Sequence, residues 1–169
     1  MAKVKTAHGK YKGVLVGITD MRKLKAKLEV KSKEITDFIV FRFEQIGEKA
    51  VKIARELKPD DGSFHDVTGN LRSSIGYMIL VDGRVVKQGA PKQYPGRIGD
   101  GGKGVSEGIS LLSKLKAKFP YGIVLVLCAG MEYAAFVENV KHKDVLTSAS
   151  LNAEQLVKKL IGKLLEATE

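Results

Sequence analysis

The 169-residue chain has no tryptophan, one cysteine and three histidines. A lone cysteine, Cys128 in "GIVLVLCAG", excludes a disulfide framework within the chain and points to a reducing compartment. His8, His65 and His142 are scattered, and with Cys128 they show none of the ligand spacings of a metal site. No apolar run approaches the roughly 20 residues of a membrane span. The N-terminal "MAKVKTAHGKYKGVLVGI" is basic, but it has no apolar stretch long enough for a signal peptide. The expectation is a single soluble domain, cytosolic when made, with no membrane partner and no cofactor. No internal repeat is present.

Acidic residues are scarce in one place. The net charge is +10, and Met1–Lys33 holds ten Lys/Arg against only Asp20 and Glu29. The rest of the chain is near balance, with 19 basic and 17 acidic side chains. Such asymmetry suits an anionic partner, and on charge alone a solvated arm that aids solubility is the favoured account. Residues 1–18 therefore read as a basic N-terminal arm, in which "VLVGI" is a candidate short strand, and 19–169 as the domain. Lys23, Lys25, Lys27, Lys31 and Lys33 are the candidate contacts to DNA or to a partner. Lys114, Lys116 and Lys118 form a second basic cluster. No recognition-helix motif and no aromatic RNA-binding signature accompanies these charges, so any DNA contact would be non-specific.

Periodicity supplies the elements. "TDMRKLKAKLEV" puts Met21, Leu24 and Leu28 on one helical face, with Thr19 or Asp20 as N-cap. A second, longer helix is expected from Ser32, its cap, to Pro59, its stop. Its apolar stripe is Ile35, Ile39, Phe43, Ile46, Ala50, Ile53 and Leu57. Two β-rich runs around Asp82-Gly83 predict a hairpin. A Gly/Pro-rich stretch, about 88–104, predicts a mobile loop, for which ordering against a partner and plain disorder both fit. The loop leads into a helix striped by Val105, Ile109, Leu112 and Leu115, weakened by Gly108. "GIVLVLCAG" reads as a central strand buried on both faces, and "MEYAAFVENV" as a turn or short helix. A closing helix faces Leu156, Val157, Leu160, Ile161 and Leu164 inward. The class is α+β: a small antiparallel sheet packed against a long N-terminal and a C-terminal helix, with an inserted loop–helix.

Catalytic constellations are missing. Ser73, His65 and Asp66 assemble a triad only on paper: no G-x-S-x-G elbow exists, and His65 and Asp66 are neighbours on a connector. "GDGGKG" fails as a phosphate loop, with Arg97 where a glycine is needed and Gly104 in place of Ser/Thr. The expectation is that the protein is not an enzyme. "HDVTGNLRSSIGY" instead reads as a capped turn feeding a strand. Thr68 is its cap, Leu71 and Ile75 its inward anchors, and Arg72 and Ser73 point outward.

That segment carries a family resemblance. Asp-x-Thr-Gly-Asn-Leu-Arg-Ser-Ser-Ile, after a long amphipathic helix, resembles the neck or tail-completion proteins of tailed bacteriophages, also described as head–tail joining or minor tail components. Its residues are Thr68, Gly69, Leu71, Arg72, Ser74 and Ile75. A second block, "AGMEYAAFVE", matches through Gly130, Tyr133, Ala134, Phe136, Val137 and Glu138. "DVLTSA" before the terminal helix resembles the forms of Bacteroides-like phages. The chain departs from the family pattern at Val67, which intervenes before Thr-Gly, at Asn139-Val140, and in a longer insertion from about Gln88 to Pro120. The resemblance implies a structural virion protein that oligomerises as a ring around the tail axis with other phage head and tail proteins. It would reside in the virion and, before assembly, in the bacterial cytoplasm. The alternative from charge alone is a stand-alone, non-specific nucleic-acid-binding protein.

Overall fold

The computed structural model describes residues 20–166 in full and, before them, the backbone of two strands. These strands, β1 (Lys3–Thr6) and β2 (Leu15–Ile18), pair antiparallel with Lys3 opposite Ile18. The candidate strand in the arm is therefore real. Thr19 and the side chains of the arm's lysines lie outside the described residues. The chain divides into two units, Met1–Phe38 and Ile39–Glu169.

A single helix, α1 (Met21–Glu56), replaces the two expected ones. The Asp20 carboxylate starts it, accepting hydrogen bonds from the N–H groups of Arg22 and Lys23 at 3.1 and 3.3 Å. Ser32 does not cap anything. Its carbonyl accepts the Thr36 hydroxyl at 2.9 Å within an unbroken helix. One serine among good helix formers costs only about 0.5 kcal/mol, too little to split a helix.

The second unit holds the remaining elements. After a 3₁₀ turn at Pro59–Asp61 come α2 (Asn70–Ser73), β3 (Ile75–Val81) and β4 (Arg84–Gly89). Then follow α3 (Gly102–Lys116), β5 (Ile123–Ala129), α4 (Ala134–Asn139) and α5 (Thr147–Glu166). The sheet order is β4-β3-β5, all antiparallel. Asp82 and Gly83 both take positive φ, as the hairpin turn requires. The α+β class is as expected.

The sheet order corrects one expectation. The central strand is β3, not β5: β5 pairs with β3 alone among the described strands, although both its faces are covered. Both faces of β3 are buried because its residues alternate between two cores. Ile75, Tyr77 and Ile79 face Phe43, Ala50, Ala54, Ala149 and Ala153 on α1 and α5. Met78 and Leu80 face Leu112 of α3, with Val126 and Cys128 of β5. Helices thus cover the sheet on both sides. Tyr77 fits only because glycines flank it: a Cβ on Gly47 or on Gly89 would stand 2.6 or 2.0 Å from its ring. Its hydroxyl donates to Glu48 Oε1 at 2.8 Å, and burial followed by that bond pushes the phenol well above its usual range. Burial also pushes the Cys128 thiol up to about 11, against a backbone hydrogen bond from Gly76, which suits a packing residue rather than a reactive one.

The helical stripes need adjustment where glycine and alanine do the packing. Ile109 and Ile161 are exposed, and α3 buries Leu112 as expected together with Gly104 and Gly108. The residues α5 buries most deeply are Ala149 and Ala153, with Leu156, Val157 and Leu160 half-buried beside them. On α1, Ile35 is exposed and the buried stripe begins near Ile39.

Candidate functional site

The two motif blocks meet on one end of the second unit. Gly69, at φ 78, is the N-cap residue preceding α2, so it takes the cap position expected of Thr68. The Thr68 hydroxyl accepts from the Asn70 N–H only at 3.5 Å. A positive φ at this point is open to glycine at little cost. Space demands it too: a Cβ on Gly69 would stand 2.1 Å from the Tyr94 carbonyl oxygen. Leu71 and Ile75 are both buried as expected, but in different cores. Leu71 joins Phe64, Met131, Ala134 and Val145, whereas Ile75 joins α1 and α5. The second block enters through Met131 and Ala134, and through the Gly130 N–H, which donates to the Ser74 carbonyl at 3.2 Å.

Ser73 corrects the sequence reading. It is fully buried rather than outward, and its hydroxyl both donates to the Tyr94 carbonyl at 3.1 Å and accepts from the Tyr94 N–H at 2.8 Å. The Gly/Pro-rich loop is thereby pinned to α2. Two further bonds hold it: the Ile98 N–H to the Val67 carbonyl at 3.0 Å, and the Gly104 N–H to Asn70 Oδ1 at 3.2 Å. Gly96 approaches so closely that a Cβ would lie 2.2 Å from the Gly69 nitrogen. Val67, the irregular residue of the motif, thus supplies a backbone acceptor for the loop.

The charged residues of the site are engaged with one another. Arg72 Nε lies 3.5 Å from Asp66 Oδ2, both atoms buried, as an ion pair without hydrogen-bond geometry. Burial raises the Asp66 carboxyl, while Arg72 and a backbone bond from Gly69 lower it, and burial prevails. Burial, then the Asp66 charge, pushes the Tyr133 phenol upward. A groove of about 410 Å³ is lined here by Phe64, Asp66, Val67, Leu71, Tyr133 and Val137 among others. Glu138 ends the second block with a structural task. Its Oε1 accepts the N–H groups of Leu146 and Thr147 at 3.0 and 2.7 Å, and the Thr147 hydroxyl at 2.6 Å. It therefore caps α5 from a distance. Burial disfavours its charge, but the Thr147 hydroxyl and backbone donors outweigh that and hold its carboxyl below the usual range. Phe136 is exposed, with the Lys141 ammonium 5.8 Å from its ring centre.

Chemically, the arrangement is a joint. The hydroxyl of Ser73 is committed to Tyr94, and Asp66 faces Arg72 rather than completing a triad with His65. Among the described residues, no group of three His, Cys, Asp or Glu side chains could hold a metal ion, and no helix is long and apolar enough to cross a membrane.

The candidate lysines lie elsewhere. Lys23, Lys25, Lys27, Lys31 and Lys33 are all exposed on the first half of α1. Lys23 pairs with Asp20 at 3.6 Å and Lys31 with Glu34 at 2.6 Å. Lys23, Lys27 and Lys31 form one row at helical spacing, and Lys25 and Lys33 lie off that row. Sequence reasoning missed Tyr94, Gly104 and Gly108. The signal for the two glycines was their four-residue spacing with Leu112, which an apolar count overlooks.

No family model matches the chain, and no curated protein or solved structure matches it.

Proposed function

We propose that this chain is a non-enzymatic structural protein of a phage or prophage virion, acting in tail completion or head–tail joining by oligomerising around the tail axis. The observation that carries the reading is the meeting of the two motif blocks. Residues 66–75 and 130–138 are distant in sequence, yet they share the Gly130–Ser74 hydrogen bond and the Phe64, Leu71, Met131, Ala134 and Val145 cluster. Motif residues that build one joint behave as a scaffold signature. The departures from the family pattern also belong together: the long insertion contributes Tyr94, Ile98 and Gly104, and Val67 accepts one of its backbone hydrogen bonds. Deleting the gene from the phage or prophage tests the reading. The expected result is DNA-filled heads and separate tails that fail to join. Normal joined particles, or a particle reconstruction without this chain at the head–tail junction, would refute it.

The exposed lysines of α1 favour a second reading, a stand-alone DNA-binding protein whose affinity falls steeply with salt. A binding titration with duplex DNA across salt concentrations decides it, and no affinity at low ionic strength ends that reading.

A further inference from the structure

On α1, Met21, Leu24, Leu28, Lys31, Ile35 and Phe38 step alternately by four and three, the spacing of a coiled-coil seam. The five apolar members are 67, 41, 61, 50 and 40% exposed in chain order. Residues of the three buried clusters begin only at Ile39. Among the described residues, the seam therefore lies outside the buried clusters.

We infer that this seam is a self-association surface on which two copies of the chain pair antiparallel through α1. Three features select this occupant and this direction. In an antiparallel pair, Met21 meets the partner's Phe38, Leu24 meets the partner's Ile35, and Leu28 meets the partner's Lys31, so every layer of the seam contains an apolar residue. In a parallel in-register pair, Lys31 would face the partner's Lys31, placing like charges in the seam. Finally, Lys27 and Glu34 flank the seam, and the antiparallel register sets each Lys27 opposite the partner's Glu34, twice by symmetry. Glu34 can accept this partner: Lys31 holds its Oε2 at 2.6 Å, leaving Oε1 to the incoming ammonium. The same bond keeps the Lys31 ammonium at the edge of the seam while its stem covers apolar surface. Such a pair is isologous, so it neither requires nor supplies the ring-closing contact of the proposed assembly.

Sedimentation equilibrium of the full chain tests the pairing. The expected result is a reversible dimer. Leu28→Glu is expected to give a monomer, with circular dichroism and thermal unfolding showing that it remains folded. Lys27→Glu or Glu34→Lys alone is expected to weaken dimerisation about tenfold, by turning two attractions into repulsions. The Lys27→Glu/Glu34→Lys double variant restores it. A monomer at every concentration overturns the inference. So does a dimer indifferent to Leu28→Glu, a double variant no better than the singles, or a chain that associates only with an acidic helix of another protein or with DNA. Because this readout needs no phage particle, its failure leaves the head–tail reading standing, and the reverse holds too.

Discussion

Glu138 shows how one side chain can tie two elements together. A helix start leaves its first N–H groups without partners, and here a carboxylate from the preceding helix accepts two of them and the Thr147 hydroxyl. Loss of such a cap costs about 1–2 kcal/mol. Glu138→Ala should lower stability by that amount in urea unfolding at neutral pH, with Glu138→Gln in between. The pH dependence follows from the lowered carboxyl. A depressed carboxylate contributes stability above the unfolded-state value, and the contribution is lost as pH falls through the folded-state value. The gap between wild type and Glu138→Ala should therefore narrow as pH falls through the lowered folded-state value of this carboxyl. Glycines offer a second test at this scale, with two opposite signs. In a helix, Gly→Ala gains up to about 1 kcal/mol from backbone entropy. Gly162 has nothing within 4 Å of a new Cβ, so Gly162→Ala should raise the melting temperature. At Gly108 the new Cβ would sit 2.6 Å from the Ser74 carbonyl oxygen, a backbone atom that cannot swing aside. Overpacking costs about 1–3 kcal/mol, which exceeds the gain, so Gly108→Ala should lower it.

Between elements, the informative contact is that of the 90–101 loop with α2. Its anchor is the two-way bond of Ser73 with Tyr94, and Ser73→Ala removes both halves. The variant should keep its helices but lose about 1–3 kcal/mol at this joint. Limited trypsin digestion reads the effect directly, because Arg97 lies within the loop: cleavage after Arg97 should speed up in Ser73→Ala. An unchanged rate would show that the remaining bonds suffice. This joint also marks the boundary of what the sequence revealed. The α1 stripe beyond Ile39, the Asp82-Gly83 hairpin and the closing helix were legible, because each is set by spacing along a short stretch. Sheet order was not, since β3 and β5 are joined across the whole insertion, and a β-branched run looks alike at a centre or an edge. The motif residues Leu71 and Ile75 could be singled out as anchors. That Ser73 faces inward could not, because its partner is a backbone group 21 residues away. The α3 packing face escaped notice because its contact surface is glycine, whose value lies in what it allows to approach.

For the whole molecule, two units imply two kinds of stability. Among the described residues, the buried clusters draw on residues from Ile39 onward, and the expectation is that the second unit's resistance to denaturant depends little on the first half of α1. A chain beginning at Lys31 isolates the point. Ser32 would then stand near a helix start, where its hydroxyl can cap the shortened α1, a role it lacks inside the intact helix. The truncated chain lacks Met21, Leu24 and Leu28, and with them half of the proposed seam. Its unfolding free energy should fall within about 1 kcal/mol of the full chain's at high dilution, because surface residues outside a core contribute little. At high protein concentration the two should separate. Association of folded copies adds stability by mass action, so the full chain's melting temperature should rise with concentration while the truncated chain's stays constant. If both melting temperatures rise together, association runs through residues from Lys31 onward rather than through the full seam. If the truncated chain unfolds far below the full chain even at high dilution, the first half of α1 supports the second unit directly.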